Sequence, residues 1–319
     1  MTISKIPTYM ISTTYDNAKI AVGSNVIYST ANSSFIVTLA FMNGYTSAGT
    51  TNVNTIDKFP FATDANATDV GDLTQSRQWV VGQSSSTHGY TSGGSPITDT
   101  IDKFSFSADG NATDVGNLTQ SRWFPAGQSS NENGYASGGG SPTTTNTIDK
   151  FPFTADGNAT DVGDLTVSRQ GAAGQSSDAS GYTSGGTPGP LNTVDKFPFS
   201  SDANAADVGD ITQARFYNAG QSSSTNGYNS GGFSPGAVNT VDKFPFSSDN
   251  NATDVGDLSQ ARYGSAGQSS TTSGYTSGGA TPLTPNLNTI DKFPFASDAN
   301  ATDVGDLTQG RYHSAGQQG

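Results

Sequence analysis

The chain contains 319 residues and no cysteine, and its formal net charge is −13 at pH 7. The absence of cysteine excludes disulfides, thiolate metal sites and cysteine nucleophiles. The strong negative charge disfavours binding to nucleic acids and to anionic lipid surfaces. No apolar run reaches the roughly 18 residues that a membrane-spanning helix needs, so we expect no membrane insertion.

The first 43 residues do not share the pattern of the rest. Residues 20–22 and 26–29 are short apolar stretches around Gly23-Ser24-Asn25, which predicts two strands and a turn. Residues 34–41 form the most apolar stretch of the chain and are typical of a buried strand. Residues 1–43 therefore either add a strand to the main body or form an attachment and assembly segment.

Residues 44–319 repeat one pattern. A block of the form Ile/Val-Asp-Lys-Phe recurs at intervals of 45 to 49 residues. One unit, residues 78–122, predicts four short strands at 78–83, 89–92, 100–106 and 114–118. Four short strands per period are typical of a β-propeller blade, and no stretch shows the 3.6-residue apolar period of a helix. The blocks begin at Ile56, Ile101, Ile148, Val194, Val241 and Ile290.

The ends of the repeat region predict how the ring closes. Residues 312–317 repeat the first strand of a unit, whereas the unit that begins near Gly44 has no such strand. Pairing the two ends would remove an exposed sheet edge. The count is then six blades; a seventh blade built from residues 20–43 is the alternative.

The unit resembles the kelch repeat. Gly93-Gly94 ends one strand, Asp102 lies in the next, and Leu118 and Arg122 follow in the kelch order. Val115 replaces the tryptophan of that family, and Ile101 replaces its aromatic residue before the aspartate. The resemblance covers about residues 44–319 and implies an all-β, kelch-like β-propeller.

The repeat also resembles repeats in structural proteins of marine tailed phages, especially cyanophages. Residues 3–11 are similar to the leader of many phage tail-fibre proteins. These resemblances imply a virion location, other virion proteins as partners, contact with a host-surface glycan, and a homo-oligomer as a further option. The alternatives are an extracellular or cell-surface, lectin-like adhesion protein of a bacterium and a propeller enzyme that acts on polysaccharide.

The cationic side chains occupy fixed positions in the repeat. We expect each arginine to hydrogen-bond backbone carbonyls or an aspartate between blades, and each lysine to pair with an aspartate. The alternative is a ring of cations that faces an anionic ligand. The structural arginines are Arg77, Arg122, Arg169, Arg215, Arg262 and Arg311, and the repeated lysines are Lys58, Lys103, Lys150, Lys196, Lys243 and Lys292.

An aspartate-rich turn recurs in every unit. Asp64, Asn66, Asp69 and Asp72, with their equivalents, are oxygen ligands of the kind that calcium binds. The spacing lacks a distal bidentate glutamate, and Asp and Asn also form turns by bonding their own backbone. Calcium is therefore the only cofactor that we consider, and turn formation is the favoured interpretation.

The residues after each arginine vary most between repeats. Aromatic side chains dominate there, and they either pack internally or form a sugar-binding surface. The Phe-Pro-Phe positions are instead predicted to alternate between sheet faces and fill the gaps between blades. The candidate binding residues are Trp79, Trp123, Phe124, Phe216, Tyr217, Tyr263 and Tyr312.

No catalytic set is visible in the sequence. His88 and His313 are the only histidines, and neither has a recognisable partner motif for a nucleophilic triad. Nearly every aspartate belongs to the repeat, whereas an active site is normally asymmetric. We therefore expect a protein without enzymatic activity, in which the blades form a scaffold and the varied positions form a surface.

Overall fold

The structure, a computed structural model, describes residues 20–22, 25–27, 42–50, 53–284 and 286–319. The chain divides into two compact units, Met1–Leu39 and Ala40–Gly319. In the first unit, β1 (Ile20–Val22) pairs antiparallel with β2 (Asn25–Ile27), with Ile20 opposite Ile27. The predicted strand over residues 34–41 lies outside the described residues.

The second unit is a six-bladed β-propeller, as the repeat predicted. Each blade is a four-stranded antiparallel sheet, and the first strands of successive blades contact one another around the axis. Blade 1 consists of β26 (Ala315–Gln318), β3 (Asn43–Ser47), β4 (Thr55–Pro60) and β5 (Thr68–Asp72). Blade 2 consists of β6 (Val81–Ser84), β7 (His88–Ser92), β8 (Thr100–Ser105) and β9 (Thr113–Asn117).

The remaining four blades follow in chain order. Blade 3 contains β10 (Ala126–Ser129), β11 (Asn133–Ser137), β12 (Thr147–Pro152) and β13 (Thr160–Asp164). Blade 4 contains β14 (Ala173–Ser176), β15 (Ser180–Ser184), β16 (Thr193–Pro198) and β17 (Ala206–Asp210). Blade 5 contains β18 (Ala219–Ser222), β19 (Asn226–Ser230), β20 (Thr240–Pro245) and β21 (Thr253–Asp257). Blade 6 contains β22 (Ala266–Ser269), β23 (Ser273–Ser277), β24 (Thr289–Pro294) and β25 (Thr302–Asp306).

The alternative with seven blades is wrong, because the described residues form six four-stranded sheets and β1 and β2 form a two-stranded sheet of their own. The four predicted strands per unit are confirmed, with one change. The first strand of blade 2 begins at Val81 and not at Gln78, because Gln78 bridges to Ser95 and Trp79 adopts a left-handed backbone conformation. No helix is present in the described part of the chain, and so none that could cross a membrane.

The last strand completes the first blade. Ala315 of β26 lies opposite Ser47 of β3, and Gln318 lies opposite Gly44. The strand therefore covers Ala315–Gln318, and Tyr312, His313 and Ser314 precede it. Because this pairing closes the ring, β3 has a hydrogen-bonded neighbour on each side.

The inner strands pack too closely for any side chain at one position. A Cβ atom on Gly174 of β14 would lie 2.0 Å from the carbonyl oxygen of Gly127 on β10. The same contact recurs around the axis, so all six positions require glycine. Next to it, the buried Gln175 donates from Nε2 to the carbonyl of Tyr228 in the next blade, at 3.0 Å. The equivalent glycines are Gly82, Gly127, Gly220, Gly267 and Gly316.

Aromatic rings fill the gaps between blades. Tyr182 of blade 4 contacts Phe244 and Phe246 of blade 5, with ring centroids 5.5 and 4.8 Å apart. Both phenylalanines of the pair thus face the same tyrosine. The predicted alternation between sheet faces is wrong, since residues two apart along a strand share a face.

Replacement of Gly174 tests this packing. We expect Gly174→Ala to lower the free energy of unfolding by about 3 kcal/mol, because the added methyl group must displace the backbone of a neighbouring blade. The measurement is chemical denaturation. Gly157→Ala is the matched control, because a Cβ atom there meets nothing within 4 Å; an equal loss in both variants would contradict the account.

Candidate functional site

The six arginines lie between blades, and each pairs with a buried aspartate. Arg169 follows blade 3, and its guanidinium lies 2.9 Å from Asp195 on the third strand of blade 4. Both side chains are fully buried, and Arg169 also donates to the carbonyls of Gly185 and Thr193. The equivalent pairs are Arg77–Asp102, Arg122–Asp149, Arg215–Asp242, Arg262–Asp291 and Arg311–Asp57.

Each of these aspartates also binds the end of the preceding blade. Asp195 accepts the backbone N–H of Thr166 at 2.8 Å and its hydroxyl at 2.7 Å. Burial lowers the pKa of Arg169, and the charge of Asp195 opposes that effect. The six arginines are buried and paired with aspartates, so they are not available to bind an anionic ligand from outside the protein.

Loss of one arginine tests this arrangement. We expect Arg169→Met to lower the free energy of unfolding by about 3–5 kcal/mol, because Asp195 would be left as a buried charge without its partner. Lys150→Met is the matched control: its ion pair with Asp202 lies at the surface and should contribute at most about 1 kcal/mol. Equal losses in urea denaturation would contradict the assignment.

The lysines form a second set of pairs at the perimeter. Lys150 Nζ lies 2.5 Å from Asp202 Oδ1 of the next blade, and the Asp202 side chain is 60% exposed. Each lysine therefore reaches the aspartate-rich turn of the following blade. The other pairs are Lys58–Asp109, Lys103–Asp156, Lys196–Asp249, Lys243–Asp298 and Lys292–Asp64.

The candidate calcium ligands have separate partners. Asp64 pairs with Lys292, Asn66 Oδ1 accepts the backbone N–H of Asp306 at 3.0 Å, and Asp69 Oδ1 accepts that of Gly71 at 3.1 Å. Asp72, the last residue of β5, accepts the N–H of Ala112 through its carbonyl. Among the described residues, no three carboxylate or imidazole side chains are grouped to hold a metal ion.

The predicted aromatic residues gather at one end of the propeller. The register places the start of each first strand beside the end of the second strand and the start of the third. The connections between blades and the loops between second and third strands therefore share this end, which we call the aromatic face. The opposite end carries the remaining turns and the entry of the chain at Asn43.

Six residues, one from each blade, form a ring of backbone hydrogen bonds around the propeller axis at this face. The N–H of each donates to the carbonyl of the equivalent residue in the preceding blade, with N···O distances of 2.5–3.0 Å. All six have left-handed backbone conformations, with φ between 53° and 68°. We call them the axial ring: Trp79, Phe124, Gly171, Tyr217, Gly264 and His313.

The four side chains of the axial ring pack against one another. Ring centroids lie 5.0 Å apart for Trp79 and Phe124, 4.7 Å for Phe124 and Tyr217, and 4.8 Å for Tyr217 and His313. The two glycines make room for them. A Cβ atom on Gly171 would lie 2.8 Å from the Tyr217 ring, and one on Gly264 would lie 2.6 Å from His313.

A second set of aromatic side chains extends this cluster outward. Trp123 lies 5.8 Å from Trp79, and its indole N–H donates to Gln170 at 3.1 Å. The ring centroid of Tyr312 lies 4.3 Å from that of His313 and 6.1 Å from that of Tyr263. Phe233 and Phe216 continue the series, because Phe233 lies 5.3 Å from Tyr263 and 5.7 Å from Phe216. We call Trp123, Tyr312, Tyr263, Phe233 and Phe216 the aromatic arc.

His313 is enclosed by aromatic rings. Both of its ring nitrogens are buried and have no hydrogen-bond partner in the described structure, although the residue as a whole is partly exposed. Burial lowers the pKa of His313 to about 3, so the imidazole is neutral near pH 7. The buried Asn218 Oδ1 and Ser314 Oγ, which directly follow axial-ring residues, also lack partners.

The lowered pKa predicts a pH dependence of stability. In the unfolded chain His313 has its ordinary pKa of 6.5 and binds a proton as the pH falls below that value. In the folded chain its pKa is about 3, so the imidazole stays neutral until the pH is much lower. The free energy of unfolding should therefore fall by up to about 1.4 kcal/mol per pH unit more than in His313→Phe. The measurement is denaturation of both proteins between pH 7 and pH 4. Parallel pH profiles would contradict this account.

The loops and connections of the aromatic face carry little charge. They contain one acidic residue, Asp99, no lysine, and only the arginines that are already paired and buried. Three of the four large apolar side chains that are exposed in the described residues also lie here, namely Ile97, Val167 and Leu283. At the same end of the propeller, the fourth strand finishes with an aspartate in five of the six blades, so acidic side chains border these loops at the perimeter.

The structure brings all seven predicted aromatic residues together and adds four that the sequence did not single out. Gly171, Gly264 and His313 belong to the axial ring, and Phe233 comes from a variable loop. The mixture of glycine and aromatic residues at one repeat position was the available signal for the axial ring, since glycine is common where φ is positive. Nothing in the repeat indicated Phe233.

The comparisons with known proteins add no assignment. No protein-family model matches the chain, and no curated protein sequence matches it significantly. The aromatic face is therefore interpreted on its own chemistry: partly exposed aromatic rings, amide and hydroxyl groups, and loops with a single acidic residue.

Proposed function

We propose that this protein is a non-enzymatic attachment protein that binds a neutral glycan through the aromatic face. The observation that carries the proposal is a cluster of partly exposed aromatic rings among loops and connections that contain one acidic residue and no free cation. Sugar rings present apolar C–H faces that stack on aromatic side chains. A binding site of this kind adds a few oriented polar groups to an apolar surface.

The polar groups at this face suit hydroxyl ligands. Gln78 and Gln170 occupy the first position after their arginines, beside Trp79 and Trp123. The variable loops contribute threonine, serine and asparagine, which both donate and accept hydrogen bonds. An anionic sugar would gain no cation here and would be repelled by the acidic body, so a neutral glycan is favoured.

Backbone strain supports a functional surface. Trp79, Phe124 and Tyr217 hold left-handed conformations that cost about 1–2 kcal/mol each for a residue with a side chain. Glycine fills the same position in blades 4 and 6, where Gly171 and Gly264 adopt the conformation without that penalty. Strained side chains that persist at a surface point to a role other than folding.

The proposal extends to a virion component, a tail fibre, appendage or capsid-surface protein. It rests on the resemblance of the repeats to those of phage proteins. The chain enters the propeller at Asn43, at the end opposite the aromatic face. In this proposal residues 1–43 attach the protein to other virion proteins, and the aromatic face binds a host glycan.

A bacterial adhesion protein would use the same face, so the two candidates differ in context and not in chemistry. Labelling of particles with an antibody against this chain separates them. Label on virions supports the proposal, whereas label on bacterial cells alone contradicts it. A polysaccharide-degradation assay tests the third candidate, and release of sugar would contradict a purely binding role.

Glycan binding is tested on an array of immobilised neutral and acidic glycans. We expect saturable binding to neutral glycans that changes little between 50 and 500 mM salt, because salt screens only charged contacts. Trp79→Gly should weaken binding at least tenfold, because it removes a partly exposed ring from the face. Glycine also relieves the backbone strain, so we expect the melting temperature to fall less than the lost ring packing alone would cause.

Glu132→Gln is the matched control, because Glu132 is exposed in a hairpin at the opposite end. It should bind like the wild type. Binding confined to acidic glycans, or equal binding by Trp79→Gly and the wild type, would overturn the proposal.

A further inference from the structure

The aromatic face has lost the sixfold repetition of the scaffold. The buried Arg–Asp pairs and the inner-strand glycines are repeated in all six blades. The pair of residues after each arginine, by contrast, is not the same in any two blades. A lectin with one site per blade would repeat its ligand contacts, and this face does not.

The side chains of the axial ring converge on one centre. The Tyr217 ring packs against Gly171, and its centroid lies 4.7 Å from that of Phe124. The His313 ring packs against Gly264, and its centroid lies 4.8 Å from that of Tyr217. Phe124 and His313 also meet across the axis at 4.7 Å. The four rings therefore form one floor, and six equivalent pockets are not present among the described residues.

The aromatic arc borders that floor. Its members come from blades 1, 3, 5 and 6, and blade 2 contributes Trp79 of the floor; blade 4 contributes no aromatic ring, because Gln170 and Gly171 occupy its two positions. Neighbouring rings along the arc and the floor have centroids 4.3–6.3 Å apart. That spacing is comparable to the length of one sugar unit in a chain, so adjacent rings can stack adjacent sugars.

We infer that the propeller binds one glycan chain across the axis, with several contiguous sugar subsites, and not six separate sugars. This inference rests on the proposed function and adds its stoichiometry and the length of its ligand. The axial ring contacts the central sugar units, and the arc contacts those on either side. Blade 4, which lacks aromatic walls, is the open side through which a longer polymer continues.

The repeats themselves supply variants that the fold tolerates. Glutamine stands at the first position in blades 2 and 4, so Tyr263→Gln copies a native side chain at that position. Glycine stands at the second position in blades 4 and 6, so Tyr217→Gly copies Gly171 and Gly264. Melting temperatures near that of the wild type would verify that both variants fold.

The test is isothermal titration calorimetry with neutral oligosaccharides of one to six units. The probes are β-1,4-linked glucose, α-1,4-linked glucose and β-1,4-linked mannose oligomers. For the series that binds, we expect one chain per propeller and at least about tenfold tighter binding for four units than for one, with little gain beyond. Tyr263→Gln should weaken the four-unit ligand and leave the two-unit ligand unchanged, whereas Tyr217→Gly should weaken both.

The outcomes separate this inference from the proposed function. Binding of a monosaccharide as tightly as of a four-unit chain, or a stoichiometry near six sugars per propeller, would overturn the single extended site while glycan binding stands. Equal effects of Tyr263→Gln on short and long ligands would also overturn it. Failure of all three series and of the glycan array to bind would contradict both.

Discussion

The buried carboxylate on the third strand of each blade holds this structure together. Asp195 receives a guanidinium, a backbone N–H and a hydroxyl, all from the segment that leaves the preceding blade. A charge buried at this depth is tolerated only when its hydrogen bonds are satisfied. Six such groups, repeated around the ring, join each blade to the next without any disulfide.

This constraint explains why the neighbouring positions are free to vary. The guanidinium group of Arg169 is held by Asp195 and by two backbone carbonyls, and the two residues after it lie at the aromatic face. The axial ring of backbone hydrogen bonds then holds the second of these residues regardless of its side chain. A scaffold that is determined elsewhere can therefore carry different aromatic residues, or glycine, in each blade.

The sequence predicted the fold well because the repeat is regular. The period, the turn residues and the absence of a helical pattern indicated six blades of four strands, and the fixed position of Arg169 and its equivalents indicated a structural role. The candidate aromatic residues followed from the variation at one place in the repeat. These inferences need only local pattern and the closure of a ring.

What the sequence did not predict depends on contacts between distant residues. The left-handed conformation of Trp79 arises from its bond to His313, which is more than 200 residues away. The place of Phe233 beside Tyr263 depends on a loop in another blade. The requirement for glycine at position 174 depends on the backbone of Gly127, because the blades meet closely at the axis. Local propensity carries no information about any of these contacts.

The most direct test of the central claim uses the two tryptophans of the chain, Trp79 and Trp123, which both lie at the aromatic face. Their fluorescence is measured while a neutral oligosaccharide that binds by calorimetry is added. The account predicts a saturable change in emission, and protection from acrylamide quenching, at the same ligand concentrations as the heat signal. Saturable heat with unchanged emission and unchanged quenching would place the ligand elsewhere and contradict the account.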